Sequence, residues 1–346
     1  MKKALFLMTV LLFIACSDKK QAASEATEMA FTELQTKARA LFGEIPEFVE
    51  NPDNPLTDEK ILLGQTLYFD PILSKNQTQS CNTCHNMSTY GVDNQPFSMG
   101  DKEGTIGGRN SPTTFNAALH IAQFWDGRAA TVEEQAGGPI LNPVEMGMPS
   151  EEAALERLRN SPKYQDLFAK TFPSEENPIN WKNLTDAIGA FERMLITPSR
   201  FDDYIAGNDN AMTNREKQGL EDFIENGCIA CHSGVALGGA SFHKFGVYAD
   251  YWVETKSDNV DAGKRDVSQL EADDNVFKVP SLRNITKTYP YFHDGSVRDL
   301  KESIRIMGKL QLNRELSTEQ VENIAVFFDA LTGEVDEKYT KDPNNK

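Results

Sequence analysis

Two stretches of the same shape, CNTCHN at Cys81–Asn86 and CIACHS at Cys228–Ser233, constrain this chain more than anything else in it. Two cysteines one helical turn apart can each bond a haem vinyl group, and the histidine that follows then meets the iron from the proximal face. That spacing is the pattern of covalent c-type haem attachment. The chain has five cysteines: Cys81, Cys84, Cys228 and Cys231 lie in the two patterns, and Cys16 stands apart. None is left for a structural disulfide. A zinc site would need two C-x-x-C units close in sequence, about 12–20 residues apart, whereas here they lie in different halves of the chain. The spacing therefore predicts two covalently bound c-type haems, with His85 and His232 as axial ligands.

The first residues, MKKALFLMTVLLFIACSDKK, read as a targeting segment. Lys2 and Lys3 form a basic start, Ala4 to Ala15 is apolar but too short for a membrane-spanning helix, and Cys16 follows the small Ala15. This resembles a bacterial lipoprotein signal, with residues 1–15 removed and Cys16 lipidated. The expected location is periplasmic and lipid-anchored, with Ser17 favouring the outer membrane over the inner. Net charge is −17; loss of residues 1–15 removes Lys2 and Lys3 and no acid, leaving −19. An acidic body argues against nucleic acid and against anionic lipid as surface partners, and allows steering of a basic electron donor.

Residues 16–30 form a polar tether. Thr57 or Asp58 is placed to cap a helix through TDEKILLGQTLYF. From Asn86 to Asn116 the chain is a long loop rich in Gly, Asn, Ser and Asp. Helical patterns then dominate. Ser150 caps one helix. Leu184, Ile188, Phe191 and Leu195 form the stripe of another, with Pro198 as its stop. Thr213 with Glu216, and Ser317 with Gln320, make capping boxes, and Gly333 suits a C-cap. Alternating patterns are scarce. The fold class is all-α: two cytochrome c-like haem domains with long loops, at 31–197 and 198–334, and a tail at 335–346. An internal echo supports two related halves. Pro112, Asn116, Phe124, Asp126, Gly127 and Glu134 recur at one constant offset as Pro280, Asn284, Phe292, Asp294, Gly295 and Glu302. In it Trp125 and His293 occupy corresponding places.

A haem with two protein ligands passes electrons, and one with an open position can bind an oxygen species. For the second haem Met307 is available, although it also continues a helical stripe with Leu300 and Ile304. For the first, the loop from Asn86 to Asn116 holds no histidine. Met87, Met99 and Lys102 lie there, and the remaining histidines of the chain are His120, His243 and His293.

The ordered segments SCNTCHN, GRNSPTTFNAALHIAQFWDGRAATVEEQAGGPILNPVEMG, GCIACHSG, FKVPSLRNITKTYPYFHDGSV and IRIMGKLQLNREL resemble the bacterial dihaem cytochrome c peroxidases over nearly everything after residue 50. The resemblance implies reduction of hydrogen peroxide at a first, low-potential haem on Cys81, Cys84 and His85. Electrons from a small cytochrome c or copper protein would enter a high-potential second haem on Cys228, Cys231 and His232, with Met307 as its distal ligand. It further implies Trp125 as an electron relay, Glu145 as acid–base group, Gln135 in the same pocket, calcium at Asn110, Thr288 and Pro290, and a homodimer. Many members carry a histidine cap where this chain has Asp101 or Lys102, so the first haem is expected to be uncapped and to need little or no reductive activation. His120 could reach that site, but packing suits its position better. Two alternatives stay open: a dihaem electron carrier without catalysis, and the related oxidases that mature a quinone cofactor, which resemble one another in a tyrosine where this chain has Met307.

Overall fold

The computed structural model describes residues 31–345; the signal segment and Cys16 lie outside them. The described chain is helical, with one small sheet of two antiparallel strands, Phe242–Lys244 and Val276–Lys278, paired Phe242 to Lys278 and Lys244 to Val276. Strands of three residues are too short to show alternation, which is why the sequence pattern does not announce them. Among the described residues no helix is long and apolar enough to cross a membrane.

The architecture repeats one packing unit. Helix Asp58–Phe69 crosses helix Trp181–Glu192, and helix Asn214–Glu225 crosses helix Thr318–Ala330. Each crossing has a glycine at its closest point. A Cβ on Gly64 would lie 1.9 Å from the Ala187 carbonyl oxygen, and one on Gly219 would lie 2.0 Å from that of Asn323. Backbone cannot yield as a side-chain tip can, so Gly64→Ala and Gly219→Ala are each expected to lower stability by about 1–3 kcal/mol. Denaturant unfolding checks this, and a loss below about 0.5 kcal/mol would mean that the helices slide apart freely.

The echo in sequence is also an echo in backbone. Asn116, Phe124 and Gly127 take left-handed φ values of 62°, 64° and 73°, and Asn284, Phe292 and Gly295 take 60°, 71° and 60°. The bridge Gln123–Ala129 recurs as Tyr291–Val297. Both asparagines meet at one hydroxyl: Asn116 Nδ2 donates to Thr197 Oγ1 at 2.7 Å and Asn284 Nδ2 at 3.1 Å.

Caps follow local chemistry. Thr57 accepts from Lys60, Ser150 accepts from Ala153, and both capping boxes are present. Two helix ends differ from expectation. Helix Trp181–Glu192 stops before Pro198, because residues 195–197 leave it to bond Asn116: its N–H donates to Leu195 O at 2.8 Å, and Thr197 N–H donates to its Oδ1 at 3.0 Å. Gly333 is not the C-cap of helix Thr318–Ala330, which is Leu331; Gly333 instead donates to Asn284 Oδ1 at 2.8 Å and packs on the Pro198 carbonyl.

The first and last helices of the described chain pack across it. Ala38 and Phe42 of helix Glu33–Phe42 join a core with Phe201, Leu220 and Phe327. Val335 and Tyr339 join Tyr68, Phe115 and Phe191. Gln65 Nε2 donates to the carbonyls of Lys338 and Lys341, at 2.8 and 2.9 Å.

Candidate functional site: two cavities joined at Trp125

The first cysteine pair sits on a single helical turn, Cys81–Cys84, capped by Ser80 with Thr83. His85 leaves that turn with its N–H donating to Cys81 O at 2.9 Å. Its carbonyl accepts from the Tyr68 hydroxyl at 2.6 Å. The second motif repeats the arrangement: Cys228–Ala230 is a single tight turn, and His232 N–H donates to Cys228 O at 3.0 Å. All four cysteines are free, and burial pushes their thiols up. Among the described residues no three His, Cys, Asp or Glu side chains come close enough to hold a metal ion between them. Cysteine pairs with no further ligand cluster do not supply the four ligands of a structural zinc site.

Each pair opens on its own cavity, together with its histidine. His232 Nδ1 lies 3.1 Å from Leu237 O, an arrangement that puts the ring proton on Nδ1 and leaves Nε2 free. Burial lowers the His232 pKa to about 4 and also lowers that of His85. Both imidazoles are therefore neutral, the form that ligates a metal. His85 Nδ1 is buried with no hydrogen bond of good geometry, although the Pro112 and Gly91 backbone lies close enough to favour its proton. Paired thiols, a neutral imidazole and a cavity at each motif, mainly apolar at the second and more polar at the first, fit a covalently bound haem.

The first cavity gathers Cys81, Cys84 and His85 with Gln135, Glu145 and Trp125. Gln135 projects from helix Val132–Leu141, capped by Thr131, and Glu145 follows in the turn after that helix. Asn142 Nδ2 donates to Glu145 Oε1 at 2.8 Å. Burial raises the Glu145 carboxyl above the ordinary range, while the Arg128 guanidinium and the Asn142 amide pull it part of the way back. Arg128 lies over the Phe124 ring at 3.4 Å and donates to both oxygens of Asp126. Among the described residues lining this cavity, His85 is the one histidine.

Asp101 and Lys102 are not among the residues that line it. The Asp101 carboxylate accepts from Thr78 Oγ1 at 2.6 Å and Asn76 N–H at 2.7 Å. Burial raises its pKa, but those hydrogen bonds outweigh it and hold the group below the usual range. Lys102 is exposed. Met99 lines the cavity rim and is 56% exposed, and Met87 is in the core. His120 faces the other cavity.

The second cavity gathers Cys228, Cys231 and His232 with Met307 on helix Leu300–Leu312. Met307 is only partly buried, unlike Ile304 and Ile306 beside it, and packs beside the Phe245 and Phe277 cluster. Trp125 lines both cavities. Its Nε1 donates to Asn110 O at 2.9 Å, and His293 meets it edge to face at 6.3 Å between centroids. Asn110, Thr288 and Pro290 all line the second cavity, and Asn110 lines the first as well. Asn110 Nδ2 donates to Gln95 O at 2.8 Å.

The sequence reading missed Arg128 and Asn142. Asn142 had a local signal, an Asx residue three positions before Glu145. Arg128 had none, because its effect on Glu145 is set by the fold.

A family model described as di-haem cytochrome c peroxidase matches residues 58–210. The cytochrome c551 peroxidase of Nitrosomonas europaea is 47% identical over 275 residues, 79% of either chain. That of Pseudomonas aeruginosa is 43% identical over 313 residues, 90% of either chain. A crystal structure of a MauG-like protein associated with microbial copper homeostasis superposes with a TM-score of 0.77 at 29% identity, covering 87% of this chain and 97% of that one. Two motif cavities of matching chemistry and these relatives lead to one conclusion: the chain belongs to the di-haem cytochrome c peroxidase family.

Proposed function

We propose that this protein reduces hydrogen peroxide to water at the haem on Cys81, Cys84 and His85, with electrons taken up by the haem on Cys228, Cys231 and His232. The observation that carries this reading is the first cavity, which Gln135, Glu145 and Trp125 line together with His85. The haems, when bound, supply the redox chemistry: two electrons and two protons convert one peroxide into two waters. Glu145 takes the proton from one peroxide oxygen and returns it to the departing one. Asn142 fixes its carboxyl, and Arg128 restrains the rise in its pKa. Gln135 faces the same space with its amide free to orient peroxide.

Met307 is the distal ligand of the second haem. Histidine–methionine ligation raises a haem potential, which suits electron uptake from a small cytochrome c or copper protein. Trp125, on the wall of both cavities, relays electrons between them. Oxygens of Asn110, Thr288 and Pro290 would hold a calcium ion, if one binds. The two haem lobes divide near residue 197. The protein is anchored through lipid on Cys16 at the periplasmic side of the outer membrane and works as a homodimer.

The first haem has no histidine cap and needs little or no reductive activation, as the cavity's single histidine and the engaged carboxylate of Asp101 support. Electron paramagnetic resonance of the fully oxidised protein tests this. A high-spin signal that peroxide consumes is expected. Two low-spin signals untouched by peroxide would overturn the reading and favour an electron carrier.

A further inference from the structure

The wall of the second cavity carries a charge that the reaction above does not use. Lys278 ends the strand Val276–Lys278, pairs opposite Phe242, and its N–H donates to Trp125 O at 2.8 Å. It is 6% exposed, and its side chain lines the cavity that holds His232. Among the described residues its Nζ has one hydrogen-bond partner, His120 Nδ1 at 3.1 Å, and no carboxylate. An ammonium can only donate, so His120 Nδ1 accepts and His120 carries its proton on Nε2. That Nε2 is buried and has no partner. The ring is seated against Gly239, where a Cβ would lie 2.2 Å from His120 Cδ2.

A buried ammonium and a buried imidazole N–H thus share one cavity wall with no acceptor between them. Burying such donors unmatched is costly, and burying the charge more so. Burial alone draws Lys278 down to about 8. The missing partner is an anion. A haem held here has its vinyl groups on Cys228 and Cys231 and its iron on His232, so its remaining polar groups are two propionate carboxylates.

We propose that Lys278 and His120 form a clasp for a propionate carboxylate of the second haem, and that the lysine charge raises the potential of that haem. This rests on the placement of that haem at His232. Reduction adds an electron to the iron, so a fixed positive charge nearby favours the reduced form. The clasp also hangs from the backbone of Trp125, which fixes the cofactor edge relative to the wall shared with the first cavity.

The test uses the full-length, haem-loaded protein. Haem content is counted by pyridine haemochrome, the potential of each haem is read by spectroelectrochemistry, and propionate bending modes are read by resonance Raman. Lys278→Met is expected to keep two haems per chain, lower the potential of the second haem alone, and shift a propionate band. At a fixed poise its reduced-to-oxidised ratio should fall about tenfold. Lys278→Arg should restore both, and His120→Leu should give a smaller drop. An unchanged band and potential in fully loaded Lys278→Met would overturn the proposal, as would a shift confined to the first haem. A potential that follows chloride concentration in the wild type would also overturn it, by making a free anion the partner. If Lys278→Met fails to load, His120→Leu decides: no change in potential there overturns the clasp. A wild type with two haems but no peroxide turnover would sink the functional reading and leave this one standing.

Discussion

Replacing Glu145 by glutamine is expected to lower kcat/KM for hydrogen peroxide by about 10²–10⁴-fold, the usual worth of a positioned general acid–base. Both haems should remain bound, because Glu145 touches neither cysteine pair nor any axial histidine in a hydrogen bond. Glutamine keeps the size and can still accept from Asn142, so the loss reports proton transfer rather than collapse. The pH dependence gives a second readout. Burial raises the Glu145 carboxyl, and the group must start as a carboxylate to take the first proton. Wild-type activity should therefore fall as pH drops through a value above the ordinary carboxylate range, and the glutamine variant should lack that limb. Stopped-flow peroxide consumption between pH 4 and 8 checks both. A variant within about threefold of wild type would remove Glu145 from the chemistry.

The largest expected effect on stability comes from Arg283. It is 1% exposed and donates to Asp202 through both terminal nitrogens, at 2.9 and 2.8 Å, and to Val235 O at 2.7 Å. Asp202 in turn accepts from Ser199 N–H at 2.8 Å, holding the start of helix Arg200–Ile205. Arg283→Met removes one partner of a buried ion pair and leaves Asp202 charged and unmatched, which costs about 3–5 kcal/mol. For a chain of this size that is a fall in midpoint of roughly 4–7 °C. Val235 sits in the turn that presents Leu237 O to His232, so the second haem's histidine should lose definition as well. Circular dichroism melts, with the second haem's Soret band followed in parallel, test this. A midpoint within about 2 °C of wild type would mean that Asp202 finds water or another donor.

What was readable in the sequence was local. Thr57, Ser150, Thr213 with Glu216, and Ser317 with Gln320 all cap where expected, because a cap is a bargain between residues three apart. The stripe Leu184, Ile188, Phe191 and Leu195 is fully buried, as its period demands. Gly333 and Pro198 misled for the converse reason: distant Asn284 and Asn116 claimed the backbone that helix rules would have assigned. The C-x-x-C-H motifs announced their chemistry by spacing alone. Glu145, Gln135 and Trp125 did not; they entered through resemblance, since a lone Glu, Gln or Trp carries no local signature. Lys278 and His120, separated by 158 positions, meet only in the fold.

The packing of residues 335–339 against Tyr68 has a consequence for the first motif. Tyr339 and Val335 complete the packing around Tyr68, the residue whose hydroxyl holds the His85 carbonyl. The packing around Tyr68 is therefore complete only once residues 335–339 have joined it. A change at Tyr339 thus reaches, through Tyr68, the backbone of the first motif's histidine, although the two lie far apart in sequence.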